Sequence, residues 1–252
     1  MNVELINGWW VTTDTGGQMG GTDPAHVGQK QIENASNVYI YLNNIGWSLS
    51  AIAGVLGNMQ LESWLSPGYI EGTHRSYLPN SAQSLSDVPN SVMINFYKNY
   101  YGEDDNEFGV GLVQWSGENL QTTIPHGQKM VSYAMRNNAD WWDGDIQMSR
   151  IQFESENNYQ WQSAQINGIV WTWDNFPTND QTPEVSARIW QVCYESANPA
   201  TLPTRQANAR YWYDWFTNNP PTPPHEPLPA WFYMIINKDR KVVKNVRYKY
   251  SR

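Results

Sequence analysis

Gly54-Val55-Leu56-Gly57-Asn58-Met59-Gln60-Leu61-Glu62-Ser63-Trp64-Leu65-Ser66-Pro67 is the stretch on which the fold turns. Ser48 upstream can cap a helix, and Ala51, Ile52, Val55, Leu56 and Met59 recur at helical spacing. Their apolar face is broad, so the helix is expected to be mostly buried. Pro67 cannot continue it, and Ser66 before the proline is pushed out of the α region. Glu62 therefore falls on the last turn. The negative end of the helix dipole disfavours a carboxylate there, and burial beside Leu61, Trp64 and Leu65 disfavours any charge. Both effects are expected to raise its pKa. A carboxylic acid kept protonated near neutral pH suits proton donation to a leaving oxygen. The competing reading is a solvent-facing Glu that ends a helix.

A second stretch, Phe108-Gly109-Val110-Gly111-Leu112-Val113-Gln114-Trp115, reads as a strand or hairpin where another backbone or a ligand approaches closely. Together, "GNMQLES" and "GVGLVQW" resemble the phage tail lysozyme family, within the wider lysozyme-like group. In that group a helix ends in Glu-Ser and a Gly-Leu-x-Gln strand follows. Val185 to Phe216 is similar to the family's closing helix pair, with Tyr194-Glu195 between the helices and Arg205 opening the second. The resemblance covers roughly Asn34 to Asn218.

Composition bounds the rest. The chain has 252 residues, 40% hydrophobic and 16% charged, enough for one large domain with appendages. No apolar run approaches the ~18 residues of a membrane span, and the N-terminus lacks the pattern of a secretory signal. A wall enzyme without an export signal is expected to leave by lysis or on a particle. The single Cys193 excludes an internal disulfide, which is compatible with a reducing cytoplasm. Net charge is -8, which disfavours nucleic-acid binding by the body. It also departs from the basic character of many wall-degrading enzymes. Lys238 to Arg252 carries seven basic residues and one acidic, net +6, leaving -14 on the remainder. Fourteen tryptophans and fifteen tyrosines suit a saccharide groove, though most are expected in the core.

In chain order, 1–27 reads as an irregular, flexible arm, with Trp9-Trp10 docking on the domain or a partner. Gln29 to Asn44 is a predicted helix, followed by the Glu62 helix. Gly68 to Asn90 reads as a long loop bearing Glu71 and His74, and Val92 to Tyr101 as a short helix. Gly102 to Glu107 is an acidic loop that either is simply solvated or holds a second catalytic carboxylate. Pro125 to Asn137 is predicted helical, as is a segment capped by Asp145 and another over Trp161 to Trp173. Trp171, Trp173, Asp174 and Phe176 then form either a subsite wall or core. Thr182-Pro183-Glu184 starts a helix to about Ser196, and Thr204 is expected to cap the last one. A proline-rich spacer spans 219–230, and 231–252 is a basic tail with strand-forming residues.

Other chemistries fit poorly. Cys193 lies among helical core positions, and the four histidines show no metal-ligand spacing. No phosphate-binding or dinucleotide fingerprint is present. The expectation is a mostly α, lysozyme-like α+β domain over 28–218 with a small β-hairpin element at about 105–116, needing no metal or cofactor. By resemblance it cleaves the β-1,4 bond between N-acetylmuramic acid and N-acetylglucosamine in peptidoglycan. Glu62 is then the general acid, with Asp105, Glu107 and Asp104 as candidates for the second carboxylate. Gln114, Trp115, Trp173 and Asp174 are the candidate sugar contacts. Lytic transglycosylases share Glu-Ser and Gly-Leu-x-Gln, and a saccharide-gripping tail component without catalysis is the rival from another class. Location in a phage tail tip is expected, fastened to other tail or baseplate proteins by the C-terminal tail or the N-terminal arm.

Overall fold

The computed structural model describes residues 3–12, 20–71, 85–94, 109–116 and 130–221. At its centre lies α2 (Leu49–Ser63), packed on α1 (Gln29–Asn44), α5 (Pro183–Trp190) and α6 (Leu202–Asn218). Ser48 caps α2 as expected, its Oγ accepting from Ala51 N at 3.1 Å. Every residue from Ala51 to Gln60 is buried. Two glycines let the neighbours come that close. A Cβ on Gly54 would stand 2.7 Å from the Ser186 backbone of α5, and one on Gly57 2.5 Å from Arg205 O of α6.

The helix stops earlier than its proline requires. Trp64 and Leu65 take left-handed conformations, φ 53° and 61°, in a region that non-glycine residues seldom visit. Helix α1 braces this turn: Gln31 Nε2 donates to Trp64 O and Asn34 Nδ2 to Leu65 O, at 3.2 and 2.8 Å.

Around this core sit a short α3 (Met130–Arg136), α4 (Gly144–Asn157) and three two-stranded antiparallel pairs. The fold is thus mostly α with small β elements, as the sequence predicts. The helix at Gln29–Asn44 and the capping of α5 by Thr182, with Pro183 in its first turn, also follow the prediction.

Several elements differ. Residues 3–12 are not irregular: β1 (Val3–Ile6) and β2 (Trp9–Thr12) form a hairpin around Asn7-Gly8, both at positive φ. Asn-Gly is the pair that tight hairpin turns prefer. Trp9 and Val11 are buried in the core, so the packed body reaches N-terminal of residue 28. Trp9 lies across Gly144, where a Cβ would be 2.1 Å from its ring. The predicted helix over 161–173 is instead a second hairpin, β5 (Ala164–Ile166) and β6 (Ile169–Trp171), turned by Asn167-Gly168 with the same positive φ values. Asp143, not Asp145, caps α4. The Thr182 helix changes to a π turn over Gln191–Glu195 and ends at left-handed Ser196. Helix α6 starts at Leu202, after a 3-10 turn capped by Asn198, so Thr204 lies inside its first turn.

Candidate active site

Glu62 stands one residue before the end of α2, as the sequence predicts. What the sequence reading omitted is its cation. Arg205 Nη2 donates to Glu62 Oε1, with the Arg side chain 3% exposed and the Glu side chain 21%. The rest of the guanidinium is fixed by Asn58 Oδ1, which accepts from Nη1 at 2.7 Å, and Thr201 Oγ1, which accepts from Nε at 3.0 Å. Asn58 lies one helical turn before Glu62, so one face of α2 presents both acceptors. Gly57 on the adjoining face lets the Arg205 backbone approach.

A second carboxyl, Glu195, enters the same electrostatic environment from the π turn. Trp190 Nε1 donates to its Oε1 at 2.9 Å. Burial raises its pKa well above the ordinary 4.5, the charge of Glu62 raises it further, and Arg205 and the Trp190 bond oppose. The π turn is packed on aromatic rings. Tyr194 stacks on Trp190 at 4.2 Å between ring centroids, within an aromatic cluster that includes Trp47, Trp161, Trp173 and Phe176.

The β3–β4 hairpin (Gly109–Val110, Trp115–Ser116) is tied to the end of α2. Ser63 Oγ donates to Leu112 O at 2.8 Å, which gives the Glu-Ser pair a physical sense: one residue meets the Arg205 cation, the next anchors the hairpin. The chain after α2 bridges Ile70 to Val110, and Gly109 N donates to Glu71 Oε2 at 3.0 Å. Gly111, at φ 79°, turns this segment so that Leu112 N reaches Gln147 Oε1 at 2.9 Å.

The expected sugar contacts fare unevenly. Gln114 is half-buried at φ 51°, and its Nε2 donates to Gly111 O at 2.9 Å, the turn-bracing alternative. Trp115 is only 6% exposed, with its indole N–H directed at buried Glu154. Trp173 is 2% exposed and donates to Tyr159 O at 2.8 Å. Both tryptophans are therefore core walls and not exposed stacking platforms. For Trp173 the cause is the β5–β6 hairpin, which returns the chain inward where a helix was predicted. Asp174 beside it is exposed. Asp104, Asp105 and Glu107 lie outside the described residues, as do His74 and the 219–252 segment beyond residue 221.

Reasoning from sequence also missed Glu154. It is fully buried on α4, accepting from Arg150 Nε at 2.7 Å, from Tyr194 Oη, and from Trp115 Nε1 at 3.4 Å. Burial raises its pKa against the pull of Arg150 and these bonds. The available signal was Arg150 and Glu154 at i, i+4 spacing. Cys193 is buried, which pushes its thiol up to about 11 and away from nucleophilic chemistry. Among the described residues no three His, Cys, Asp or Glu side chains converge as a metal would need, and no helix is long and apolar enough to cross a membrane.

The sequence profile of phage tail lysozymes matches residues 33–216. Morphogenesis protein 1 of Bacillus phage B103 is 29% identical over 194 residues, which covers 77% of this chain and 42% of that protein. The chain thus spans less than half the length of this relative.

Proposed function

This chain belongs to the phage tail lysozyme family, and from that premise we propose that it is a tail-associated peptidoglycan glycosidase. As a muramidase it cleaves the β-1,4 bond between N-acetylmuramic acid and N-acetylglucosamine and opens the host wall locally during genome delivery. The observation that carries the reading is Glu62: a partly exposed carboxyl at the end of a buried helix, held in one orientation by a buried arginine. In this role Glu62 protonates the leaving glycosidic oxygen. Gln114, at the turn of the adjoining hairpin, supplies an amide to the sugar, and Asp174 is a peripheral contact. Asp105 or Glu107 activates water or stabilises the sugar cation. A lytic transglycosylase uses one Glu, and the substrate's own hydroxyl replaces water.

Zymography on purified wall tests the activity, and mass spectrometry of the digest tests its course. Reducing ends are expected; 1,6-anhydro ends identify a transglycosylase, and an intact wall leaves a saccharide-gripping tail component. We further propose that the basic segment after the proline-rich spacer, or the N-terminal hairpin, fastens the protein to tail or baseplate partners. A chain ending at Asn218 is then expected to keep hydrolysis of soluble wall fragments and to be missing from purified particles. Incorporation at normal copy number would move the anchor to the N-terminal hairpin.

A further inference from the structure

Exposure begins abruptly at the end of α2. Every residue from Ala51 to Gln60 is buried, whereas Leu61, Glu62 and Trp64 are half-buried, with Ser63 covered between them. Trp64 holds the left-handed position that closes the helix, at φ 53° and ψ 28°. Glycine or asparagine is the usual occupant there, because a Cβ makes the conformation costly. Residues kept in such conformations cluster at functional sites and persist where the surroundings over-determine them. Here Trp64 N donates to Gln60 O at 3.1 Å and Gln31 Nε2 donates to Trp64 O at 3.2 Å, so α1 and α2 together fix the turn.

Trp64 meets Tyr69 edge to face, with ring centroids 4.8 Å apart and planes at 74°. Both side chains are half-buried, while residues 65–68 between them are buried. Two partly open rings thus flank a covered loop. Tyr69 leads on to the β3–β4 hairpin: its carbonyl accepts from Gly111 N at 2.8 Å, and Gly111 O accepts from Gln114 Nε2 at 2.9 Å. The aromatic pair therefore connects Glu62, two positions before Trp64, to the turn that carries the Gln114 amide. Trp115, Trp173 and Trp190 donate their indole N–H groups inside the protein. Among the described contacts the Trp64 indole N–H has no acceptor.

We propose that Trp64 and Tyr69 form an aromatic subsite for an N-acetylated pyranose unit beside Glu62. The inference rests on the reading of this corner as the glycan site and adds to it the residues that grip the sugar ring. An aromatic ring stacks on the apolar face of a pyranose, and the indole N–H donates to a hydroxyl or to the acetamide carbonyl. The two rings already brace one another, so little side-chain freedom is lost when sugar binds. Trp115 and Trp173, 6% and 2% exposed, offer no such face. The left-handed turn then has a use: it is kept because it places an aromatic ring within two residues of the acid.

Indole N–H NMR of the full-length Glu62→Gln chain tests the subsite directly, with a soluble tetrasaccharide of alternating N-acetylglucosamine and N-acetylmuramic acid as the probe. The Trp64 resonance, assigned by its loss in Trp64→Phe, is expected to shift as the site fills, while those of Trp115 and Trp173 stay in place. No binding, or binding that leaves Trp64 unmoved, overturns the subsite. Affinity gives a second measure. Glycine fits the left-handed position without strain, so Trp64→Gly is expected to keep the helix end. It should bind the tetrasaccharide at least ~10-fold more weakly, through loss of the aromatic platform. Trp64→Phe should bind ~3-fold more weakly, through loss of one hydrogen bond. Wild-type affinity in a folded Trp64→Gly chain overturns the proposal. Wall clearing by the wild type separates this from the glycosidase reading. A Trp64 shift without clearing keeps the subsite and rejects cleavage alone; clearing with an unmoved Trp64 keeps cleavage and rejects the subsite.

Discussion

Glu154 and Glu62 each face an arginine, yet one pair is closed and the other is open. Glu154 is 0% exposed and its oxygens receive a guanidinium N–H, a phenol and an indole, from α4, the π turn and the β3–β4 hairpin. Glu62 is partly exposed and receives Arg205, while the nearby Glu195 adds a like charge if it ionises. The first arrangement saturates a carboxylate and joins three elements. The second leaves the carboxyl side chain partly exposed and keeps the cation buried. Saturated and buried, an ion pair is a structural joint; half-open, the same residue types fit the proton donor proposed for Glu62. The closed pair is itself imperfect, since Arg150 Nη1 is buried with no hydrogen-bond partner.

The largest effect that separates the two concerns stability. Glu154→Gln leaves the Arg150 charge buried without its counter-ion, and removing one partner of such a pair costs on the order of 3 kcal/mol. For a domain of this size that lowers the melting temperature by ~6–12 °C. Glu62→Gln also strands a buried guanidinium, but Arg205 keeps Asn58 and Thr201 as acceptors and its lost partner is partly exposed, so the melting temperature is expected to fall less. Equal losses in the two variants would erase the distinction.

Activity should separate them in the opposite sense. Glu62→Gln is expected to keep its circular dichroism spectrum and lose wall clearing by at least ~10²-fold, the usual contribution of a general acid. Near-normal clearing by the folded variant removes Glu62 from the chemistry. Glu154→Gln, assayed well below its melting temperature, is expected to lose far less.

The open corner also predicts a pH dependence of folding. Glu195 has a folded-state pKa above its ordinary 4.5, because of burial first and Glu62 second. Between those two values the folded protein binds more protons than the unfolded chain, so stability falls as pH rises. The contribution is complete below about pH 4.5 and is lost as pH climbs through the folded-state value. Urea denaturation from pH 4 to 8 should show this decline in the wild type and a shallower one in Glu195→Gln. Parallel curves would assign the decline to Glu154, whose pKa burial also raises.

How much of this was readable in advance depends on the distance over which the signal acts. Ser48, the apolar spacing of α2 and Thr182-Pro183 are local signals, and the helices form where they stand. Glu62 was found for the same reason: its place at the helix end is local. The hairpins at 3–12 and 164–171 also had a local signal, Asn7-Gly8 and Asn167-Gly168, which was outweighed by the composition of the first segment and the apolar spacing of the second. Arg205 and Glu195 lie 143 and 133 positions beyond Glu62, and only the resemblance of the closing helix pair pointed at them. Nothing in their own surroundings distinguishes a buried guanidinium from a surface one. Trp115 and Trp173 are buried where exposed sugar platforms were expected, because the exposure of an aromatic ring is decided by tertiary packing, to which neither strand nor helix periodicity speaks.

Trp115 gives the smallest predicted effect and the finest division between the two regions, because it belongs to the hairpin beside Glu62 but points its N–H at Glu154. Trp115→Phe keeps an aromatic ring in the site and deletes only that donor. The bond is long, 3.4 Å, and Glu154 retains Arg150 and Tyr194, so the loss is expected at about 1 kcal/mol or less. That corresponds to a fall in melting temperature of ~2–4 °C. The ring is nearly inaccessible, so binding of soluble wall fragments by the Phe variant should match the wild type. The opposite result, unchanged melting with weakened saccharide binding, would mean that the indole turns outward when substrate arrives. Trp115 would then pass from the closed network to the open corner, as the sequence suggested. Gln114→Ala serves as the control on the same turn: it breaks the bond to Gly111 O, and a loss of binding beyond its loss of stability would mark the amide as a sugar contact.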